Sequence, residues 1–451
     1  MGMFGKSRSY GQNQVSAMVP AFWANDILTV LYSKVMMPFM VHRDYENKLQ
    51  KFGDTVNARR PSKLKAYRKD AYANVTDQSI VATNVPIVLN QQIYTSFLID
   101  DRDISLSMLD LSQIYSVVAA EAIGKTVELA LMGQLYQFLD NCSGQLGTIS
   151  ASNIATYMIA ARKGLDDRFV PSEDRMLILG TAAESAALNT TLFTQAYSVG
   201  DRGEALQKGV LGQKYGLETY KHALMFNITT PYVAAATTTT AAVAAGSTVI
   251  PVTAVTNIAV GRWIILEGIP YYVTAISSLN VTIHRPLQIA MASGDSVQPC
   301  NVAAVSNGGN PLGVLYDQYI TISGYTTMPQ VGQMVTFVGD LTRYAIVDVV
   351  GATILLDRPI VNAVADTAVI NFGPSGQFNL AFIREAIALV NRPLAAVTPG
   401  TGALSAVREA HGLAMRATIA YDSFKGAQRV KLDMLMGIQV LNTDMGQVIL
   451  G

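Results

Sequence analysis

The 451-residue sequence predicts an α+β fold in which helical segments are interrupted by a long all-β block. Three observations carry that prediction. Half of the residues are apolar and 15% are charged, enough to bury a large core across about three domain-sized units. Residues 105–140 keep a three-and-four apolar spacing over a single long run. Residues 228–373 instead hold short β-favouring runs that repeat, with an offset of 71 between Gly261 and Gly332 and 73 between Pro286 and Pro359.

From the N-terminus, Phe22, Trp23, Ile27, Leu28, Leu31 and Val35 have the spacing of a short amphipathic helix, which Pro38 is expected to end. A helix so placed needs the main body or another subunit to cover its apolar face. Gly53 to Asp101 reads as a long hairpin, with β-favouring runs at Ile80–Val81, Val85–Leu89 and Ile93–Ile99. Its first half carries Arg59, Arg60, Lys63, Lys65, Arg68 and Lys69, opposed nearby only by Asp70. Such a cluster suits either phosphate contacts or a charged, partner-facing hairpin. Only Tyr67 and Tyr72 are interleaved for base stacking, which favours the second reading.

The long helix is expected from Ser105 to about Asp140, capped by Ser105 or Asp103, a rod of roughly 50 Å. Leu106, Leu109, Val117, Val127, Leu131 and Leu135 form one stripe, and Ser112, Ala119, Ala122, Ala130 and Gly133 lie opposite. Small residues there allow close packing on a second side. A helix over Ile154–Leu165, a buried strand over Arg175–Leu179 and a helix over Ala182–Leu188 follow. The glycine-punctuated stretch from Gly200 to Gly216 leads into a strand at Leu217–Tyr220 and lacks the Gly-Lys-Ser/Thr ending of a phosphate loop.

Within the β block, Val260-Gly261-Arg262-Trp263-Ile264 aligns with Val331-Gly332-Gln333-Met334-Val335. Gly268 then aligns with Gly339, Tyr272 with Tyr344, and Arg285-Pro286 with Arg358-Pro359. Two related modules result. Trp263, Tyr271, Tyr272 and Tyr344 could stack on sugars, although aromatics in small β modules belong more often to the core. Mixed structure is expected to return after the block.

Charge and motif content exclude several function classes. With 33 basic and 33 acidic side chains, no whole-chain field draws the protein to a polyanion. Cys142 and Cys300 cannot form a disulfide framework and fit a reducing compartment. His42, His222, His284 and His411 never approach metal-ligand spacing, and no Gly-x-Ser-x-Gly elbow occurs. Asp100-Asp101 and Asp166-Asp167 are carboxylates adjacent in sequence, which point apart. No catalytic, cofactor or metal site is predicted, and the chain is read as a non-enzyme. The start lacks a signal peptide. The uncharged stretch from Ala223 to Gly261 is broken by Pro231, Gly246 and Pro251, a poor membrane span.

The order of several fragments resembles the major capsid proteins of tailed bacteriophages of the Hong Kong 97 type, in particular short-tailed-phage coat proteins with an inserted β domain. These fragments are Gly53-Asp54-Thr55-Val56 with Arg60-Pro61, the long helix, Val170-Pro171 and Arg175-Met176-Leu177-Ile178-Leu179. Next come Gly209-Val210-Leu211-Gly212 and Tyr215-Gly216-Leu217-Glu218-Thr219-Tyr220. Phe378-Asn379-Leu380-Ala381-Phe382, Ala386 to Val390, Arg392-Pro393-Leu394 and Arg429 to Gly437 complete the series, which spans most of 20–227 and 374–451.

The resemblance implies an N-terminal arm at 1–50, an E-loop hairpin at 51–103 and the spine helix of a peripheral domain at 104–150. An axial domain would occupy 151–227 and 374–425, around an inserted β domain at 228–373 with modules at about 245–300 and 318–372. Residues 426–451 would return to the peripheral domain. It further implies hexamers and pentamers of this chain in an icosahedral virion shell, assembled in the host cytoplasm around double-stranded DNA that the inner wall meets weakly. Trp23, Arg59, Arg60, Lys63, Lys65, Arg68 and Lys69 become candidate intersubunit contacts. A separate scaffolding protein is expected, because the arm begins near Trp23 without a long removable extension. A portal protein is implied and a decoration protein is compatible. No Lys-to-Asn cross-link is assigned, no membrane partner is expected, and the insertion should lie on the outer face or between capsomers. An encapsulin-like nanocompartment shell, a tail structural protein, and an enzyme with a β-rich accessory domain are the other classes considered.

Overall fold

The computed structural model describes residues 35–44, 55–60, 64–72, 74–75, 77–80, 83–101, 111–194, 211–230, 237–313, 317–338, 340–398, 402–410 and 413–451. Near the start lies a four-residue helix, α1 (Met37–Met40). Pro38 stands in its first turn, where an absent N–H leaves no bond unmade, so it opens a helix instead of ending one. Of the helix expected over Phe22–Val35, only Val35 is described, and it is not helical; the rest lies outside the described residues.

Strands β1 (Thr55–Arg60) and β2 (Thr83–Val88) pair antiparallel, with Thr55 opposite Val88 and Arg60 opposite Thr83. The third extended run does not extend this hairpin. β3 (Gln91–Asp100) pairs along its whole length with residues 427–436, Gln91 opposite Met436 and Asp100 opposite Ala427. Alternation explains the choice: Ile93, Phe97 and Ile99 face the main core, which the projecting hairpin cannot offer.

The long helix, α2 (Leu111–Gly133), measures about 35 Å and tightens into a 3-10 turn at Gln134–Phe138. This is shorter than the rod expected to run to Asp140; residues 102–110 lie outside the described set. A Cβ on Gly133 would sit 2.9 Å from Asp357 and 3.0 Å from Ala345, so the β block presses on the helix at this point. Downstream, Arg343 donates to the Tyr136 carbonyl at 3.0 Å, which also accepts Leu139 N–H at 3.2 Å in the 3-10 turn. All residues from Val127 to Tyr136 are buried, which accounts for the apolar content on both sides of this helix.

β4 (Cys142–Gly144), α3 (Ile154–Asp167), β5 (Arg175–Leu179), α4 (Thr181–Leu188), β6 (Gln213–Lys214), β7 (Leu217–Lys221) and β8 (Asn227–Ile228) begin a second layer. Ile154, Met158, Ala161 and Leu165 put one face of α3 on Leu177, Leu179 and Leu217 of the sheet. At the far end of the chain come β21 (Gly376–Ile383), β22 (Ile387–Arg392), β23 (Ala403–Ala410), β24 (Leu413–Asp422), β25 (Ala427–Val440) and β26 (Gly446–Leu450); the strands between β8 and β21 are given below. One main sheet runs β4-β26-β21-β5-β7-β6, with β8 also on β21. The other runs β22-β25-β24-β23, with β3 on the free edge of β25. Among the described residues no α-helix follows Thr194, so the expected mixed return is all strand with two short 3-10 turns. Largely apolar runs such as 378–383 and 387–390 are strands buried on both faces.

Residues 229–375 leave and re-enter the main body at neighbouring strands, because Ile228 of β8 pairs with Gly376 of β21. Strands β9 (Thr237–Thr238), β10 (Val249–Pro251), β11 (Trp263–Leu266), β12 (Ile269–Ser277), β13 (Asn280–Ile283) and β14 (Ser296–Pro299) form a six-stranded sheet in the order β10-β13-β12-β11-β14-β9. Its two edges meet through a Thr239–Val252 bridge. β15 (Val302–Val305), β16 (Tyr319–Ser323), β17 (Met334–Phe337), β18 (Asp340–Val350), β19 (Thr353–Leu356) and β20 (Val369–Phe372) repeat that order as a closed barrel.

The repeat extends to single hydrogen bonds. Gly261 N–H reaches Val273 O at 2.7 Å, and Gly332 N–H reaches Ile346 O at 2.7 Å. Both glycines have positive φ, +82° and +89°, which a side chain would resist. One detail corrects the alignment read from sequence: the counterpart of Tyr344 is Tyr271, not Tyr272. Tyr271 pairs with Ile264 across seven positions and Tyr344 with Val335 across nine, so the offset shifts inside this hairpin. The two tyrosine hydroxyls accept equivalent backbone N–H groups, Gln288 and Val361, each at 2.9 Å. Arg285 and Arg358 lie over the two rings at 4.8 and 5.3 Å.

Candidate intersubunit surface

The β1–β2 hairpin carries the basic cluster away from the core. Arg59 and Arg60 end β1, backbone-paired with Asn84 and Thr83. Lys65, Arg68 and Lys69 are exposed on the segment beyond, with no ion pair among the described residues. Lys63 and Trp23, and the side chains of Arg59 and Arg60, lie outside the described set. The sequence reading named Tyr67, Tyr72 and Ile80 but did not see them, with Leu64 and Val75, as one apolar surface. Leu64, Tyr67, Tyr72, Val75 and Ile80 are 59%, 64%, 104%, 73% and 73% exposed. The segment is held in shape by Gln78, whose side-chain oxygen accepts Lys65 N–H at 2.9 Å while its amide donates back to Lys65 O.

The hairpin root is fixed. Val56, Ala58, Ile87 and Leu89 pack against Ala388 and Val390 of β22. Gly437 lets β25 pass close beneath, since a Cβ there would lie 2.5 Å from Val88 O. A buried carboxylate ties the N-terminal segment to the same body: Glu128, 2% exposed in mid-helix, accepts the N–H groups of Met36 and Met37, the latter at 3.0 Å. His222 Nε2 lies 3.1 Å from its other oxygen. His222 Nδ1 accepts Leu224 N–H at 3.1 Å, which orients the ring beside Glu128.

Where the helix ends, the two β modules converge on it. Asp140 Oδ1 meets His284 Nε2 of the first module at 2.9 Å and Arg343 of the second at 2.7 Å. Arg285 donates to the Asp140 carbonyl at 2.6 Å. Burial alone would raise the Asp140 pKa, but hydrogen bonds and charge from His284 and Arg343 hold it well below the usual carboxylate range. Gln134 donates to Asp357 at 3.0 Å and accepts from Arg358 at 2.9 Å. Tyr136 donates to Gly332 O at 2.6 Å.

Other candidate chemistry is absorbed by structure. Asp166 pairs with Arg175 at 2.7 Å, Asp167 with Lys163 at 2.9 Å, and Asp101 accepts Tyr421 O–H at 2.6 Å. Trp263, Tyr271 and Tyr344 are core residues, at most 1% exposed, and offer no face to a sugar. Both cysteines are free and buried, with burial pushing Cys300 up to about 12 against the charge of Arg262. Among the described residues no cluster of three His, Cys, Asp or Glu side chains could hold a metal, and no helix is long and apolar enough to cross a membrane.

No family model and no curated protein matches the chain. Among solved structures it is similar to one from Mycobacterium phage Che8, at 12% identity over 92% of this chain and 90% of that one, with a TM-score of 0.47. It is similar to a capsid structure of the Cyanophage P-SCSP1u at 11% identity, covering 88% and 84%, with a TM-score of 0.43. The mature capsid of bacteriophage PhiM1 gives 9% identity, 89% and 83% coverage, and a TM-score of 0.42.

Proposed function

We propose that the chain is a shell-forming protein, the major capsid protein of a tailed bacteriophage with the Hong Kong 97 type of fold, assembling as hexamers and pentamers around double-stranded DNA. The observation that carries this reading is the hairpin segment at 64–80. Its described residues are exposed except for the half-buried Gln78, and they combine five large apolar side chains with Lys65, Arg68 and Lys69. A monomer gains nothing from holding such a surface out on a rooted two-stranded lever; a copy that covers it does. The order of hairpin, long helix and β-rich body supports the same assignment, because it follows the order of fragments in the sequence that resemble this family.

In this reading the hairpin is the E-loop, α2 the spine, and residues 228–373 an insertion. The basic side chains form intersubunit ion pairs, with Trp23 on the arm as a further contact. Scaffolding and portal proteins act during assembly, a decoration protein is a compatible partner, and the virion is the site of residence. Charge reversal at K65E/R68E/K69E provides the test. The variant should keep the circular dichroism and melting temperature of the parent while losing closed shells in sedimentation and negative-stain microscopy, with and without the scaffolding protein. Normal shells from this variant would remove the hairpin from the assembly contacts, and a parent that stays monomeric under both conditions would overturn the capsid reading.

A further inference from the structure

The duplicated modules attach to the end of the long helix through equivalent corners that carry different titratable groups. In the first module Tyr272 N–H donates to His284 Nδ1 at 3.1 Å, and in the second Ala345 N–H donates to Asp357 Oδ1 at 3.0 Å. His284 N–H returns to Tyr272 O at 3.1 Å and Asp357 N–H to Ala345 O at 2.8 Å, so the two residues occupy the same place in the repeat. Each then reaches the helix end, His284 to Asp140 and Asp357 to Gln134. We propose that these corners form a proton-sensitive joint with opposed halves, in which proton uptake loosens the first module from the helix end and relieves the second.

The geometry fixes the sign for each half. Because His284 Nδ1 is already an acceptor, the ring is neutral with its proton on Nε2 facing Asp140. A second proton must enter at Nδ1, head-on to Tyr272 N–H, and the ring has to swing away to take it. Its surroundings are Asp140 on the helix end, Arg285 and Arg343 as flanking cations, and the rings of Tyr271, Tyr272 and Trp263. Burial, then the two arginines, lower its pKa against the pull of Asp140. A group with a depressed folded pKa stabilises the fold above its ordinary value, and that stability is lost as pH falls through the folded pKa.

Asp357 faces Arg358 within its own module and Tyr136 on the helix end. Burial raises its pKa to about 6, partly offset by Arg358 and the backbone donors. The stability tied to this raised group is complete below the ordinary aspartate value and lost as pH rises through about 6. The two halves therefore respond in opposite directions over one pH range. This inference does not rest on what the chain assembles into.

Hydrogen exchange of the full chain at pH 7.5 and 5, corrected for intrinsic rates, tests it. The 280–290 segment should exchange about tenfold faster at the lower pH, and the 353–362 segment about tenfold more slowly. H284N, whose amide can accept from Tyr272 and donate to Asp140, should abolish the first change alone, and D357N the second alone. A second readout uses the W23F chain, in which Trp263 is the remaining tryptophan. An imidazolium beside the indole quenches it, so its fluorescence should fall with a midpoint below 6.5, the ordinary histidine value, and H284N should remove the fall. Changes of the same sign in both segments, or a midpoint at or above 6.5, would overturn the joint. These wild-type and W23F readouts decide the question even if D357N does not fold.

Discussion

Truncating Glu128 to alanine should release the N-terminal segment from the body. The carboxylate caps the first turn of α1 from 91 and 92 positions away, through the N–H groups of Met37 and Met36, and its other oxygen lies 3.1 Å from His222 Nε2. Each charge-assisted bond contributes about 1.5–3 kcal/mol, and removing one partner of a buried charged pair costs about 3–5 kcal/mol because the others stay buried without it. For residues 35–44 a loss of about 3 kcal/mol corresponds to hydrogen exchange roughly a hundredfold faster, with global unfolding in urea less affected. Glu128→Gln should give about half the effect. Its oxygen can still accept from the arm, but without the charge that strengthens those bonds. Exchange in 35–44 that stays within threefold of the parent in Glu128→Ala would refute the clasp.

The duplicated glycines give a paired measurement. Gly261→Ala meets open space and should cost about 1 kcal/mol for its positive φ alone, whereas Gly332→Ala drives a Cβ to 2.5 Å from the Phe226 ring and should cost about 3 kcal/mol or more in thermal unfolding. Gly437→Ala should free the hairpin root, seen as faster exchange in 83–88, because its Cβ would contact Val88 O at 2.5 Å. Tyr271→Phe and Tyr344→Phe each strand one backbone N–H; each should lower stability by about 1–2 kcal/mol in urea, with Tyr344→Phe the larger because Tyr344 also donates to Asp340 at 3.2 Å.

What the sequence could reveal was set by the range of the interactions involved. Local periodicity located α3 and β5 to within two residues, because Ile154, Met158, Ala161 and Leu165 mark a helical face and 175–179 a strand buried on both sides. The repeat was visible because its glycine turns and Arg-Pro corners recur in order. Partners chosen by distant chain were not visible. β3 looked like a third hairpin strand, and nothing near it announces the ladder it makes with 427–436. The one-residue error at Tyr272 came from a hairpin two residues longer in the second module, where paired positions, not spacing, identify the counterpart. Within the candidate surface the basic residues stood out as charge, while Leu64, Tyr67, Val75 and Ile80 lack any periodicity that would mark them as a face. His284 and Asp140 are 144 positions apart, and only the docking of the modules on the helix end joins them.

That docking also constrains what the inserted modules can do. An insertion whose ends lie on paired strands could swing freely about them, and here Ile228 and Gly376 form such a pair. The swing is blocked at a second place, the helix end, where Asp140 binds both modules through His284 and Arg343, and Gln134 binds Asp357 and Arg358. Two separated attachments to one body fix orientation as well as position. The first module goes further and shares its core with the body, since Trp263, Ile264 and Tyr271 lie in the same apolar cluster as Leu135, Phe378 and Leu432, while the second gives Met334, Ala345 and Val347 to that cluster and keeps a separate core around Phe337 and Tyr344. Load applied to the second module therefore leans more on the polar contacts at the helix end, and load on the first more on apolar packing. Substitution at Asp140 should free the second module before the first even though both touch the same carboxylate. Limited proteolysis of Asp140→Asn with fragment mapping measures this, and first cleavage within 237–299 in place of 302–372 would show that the cores do not order the release.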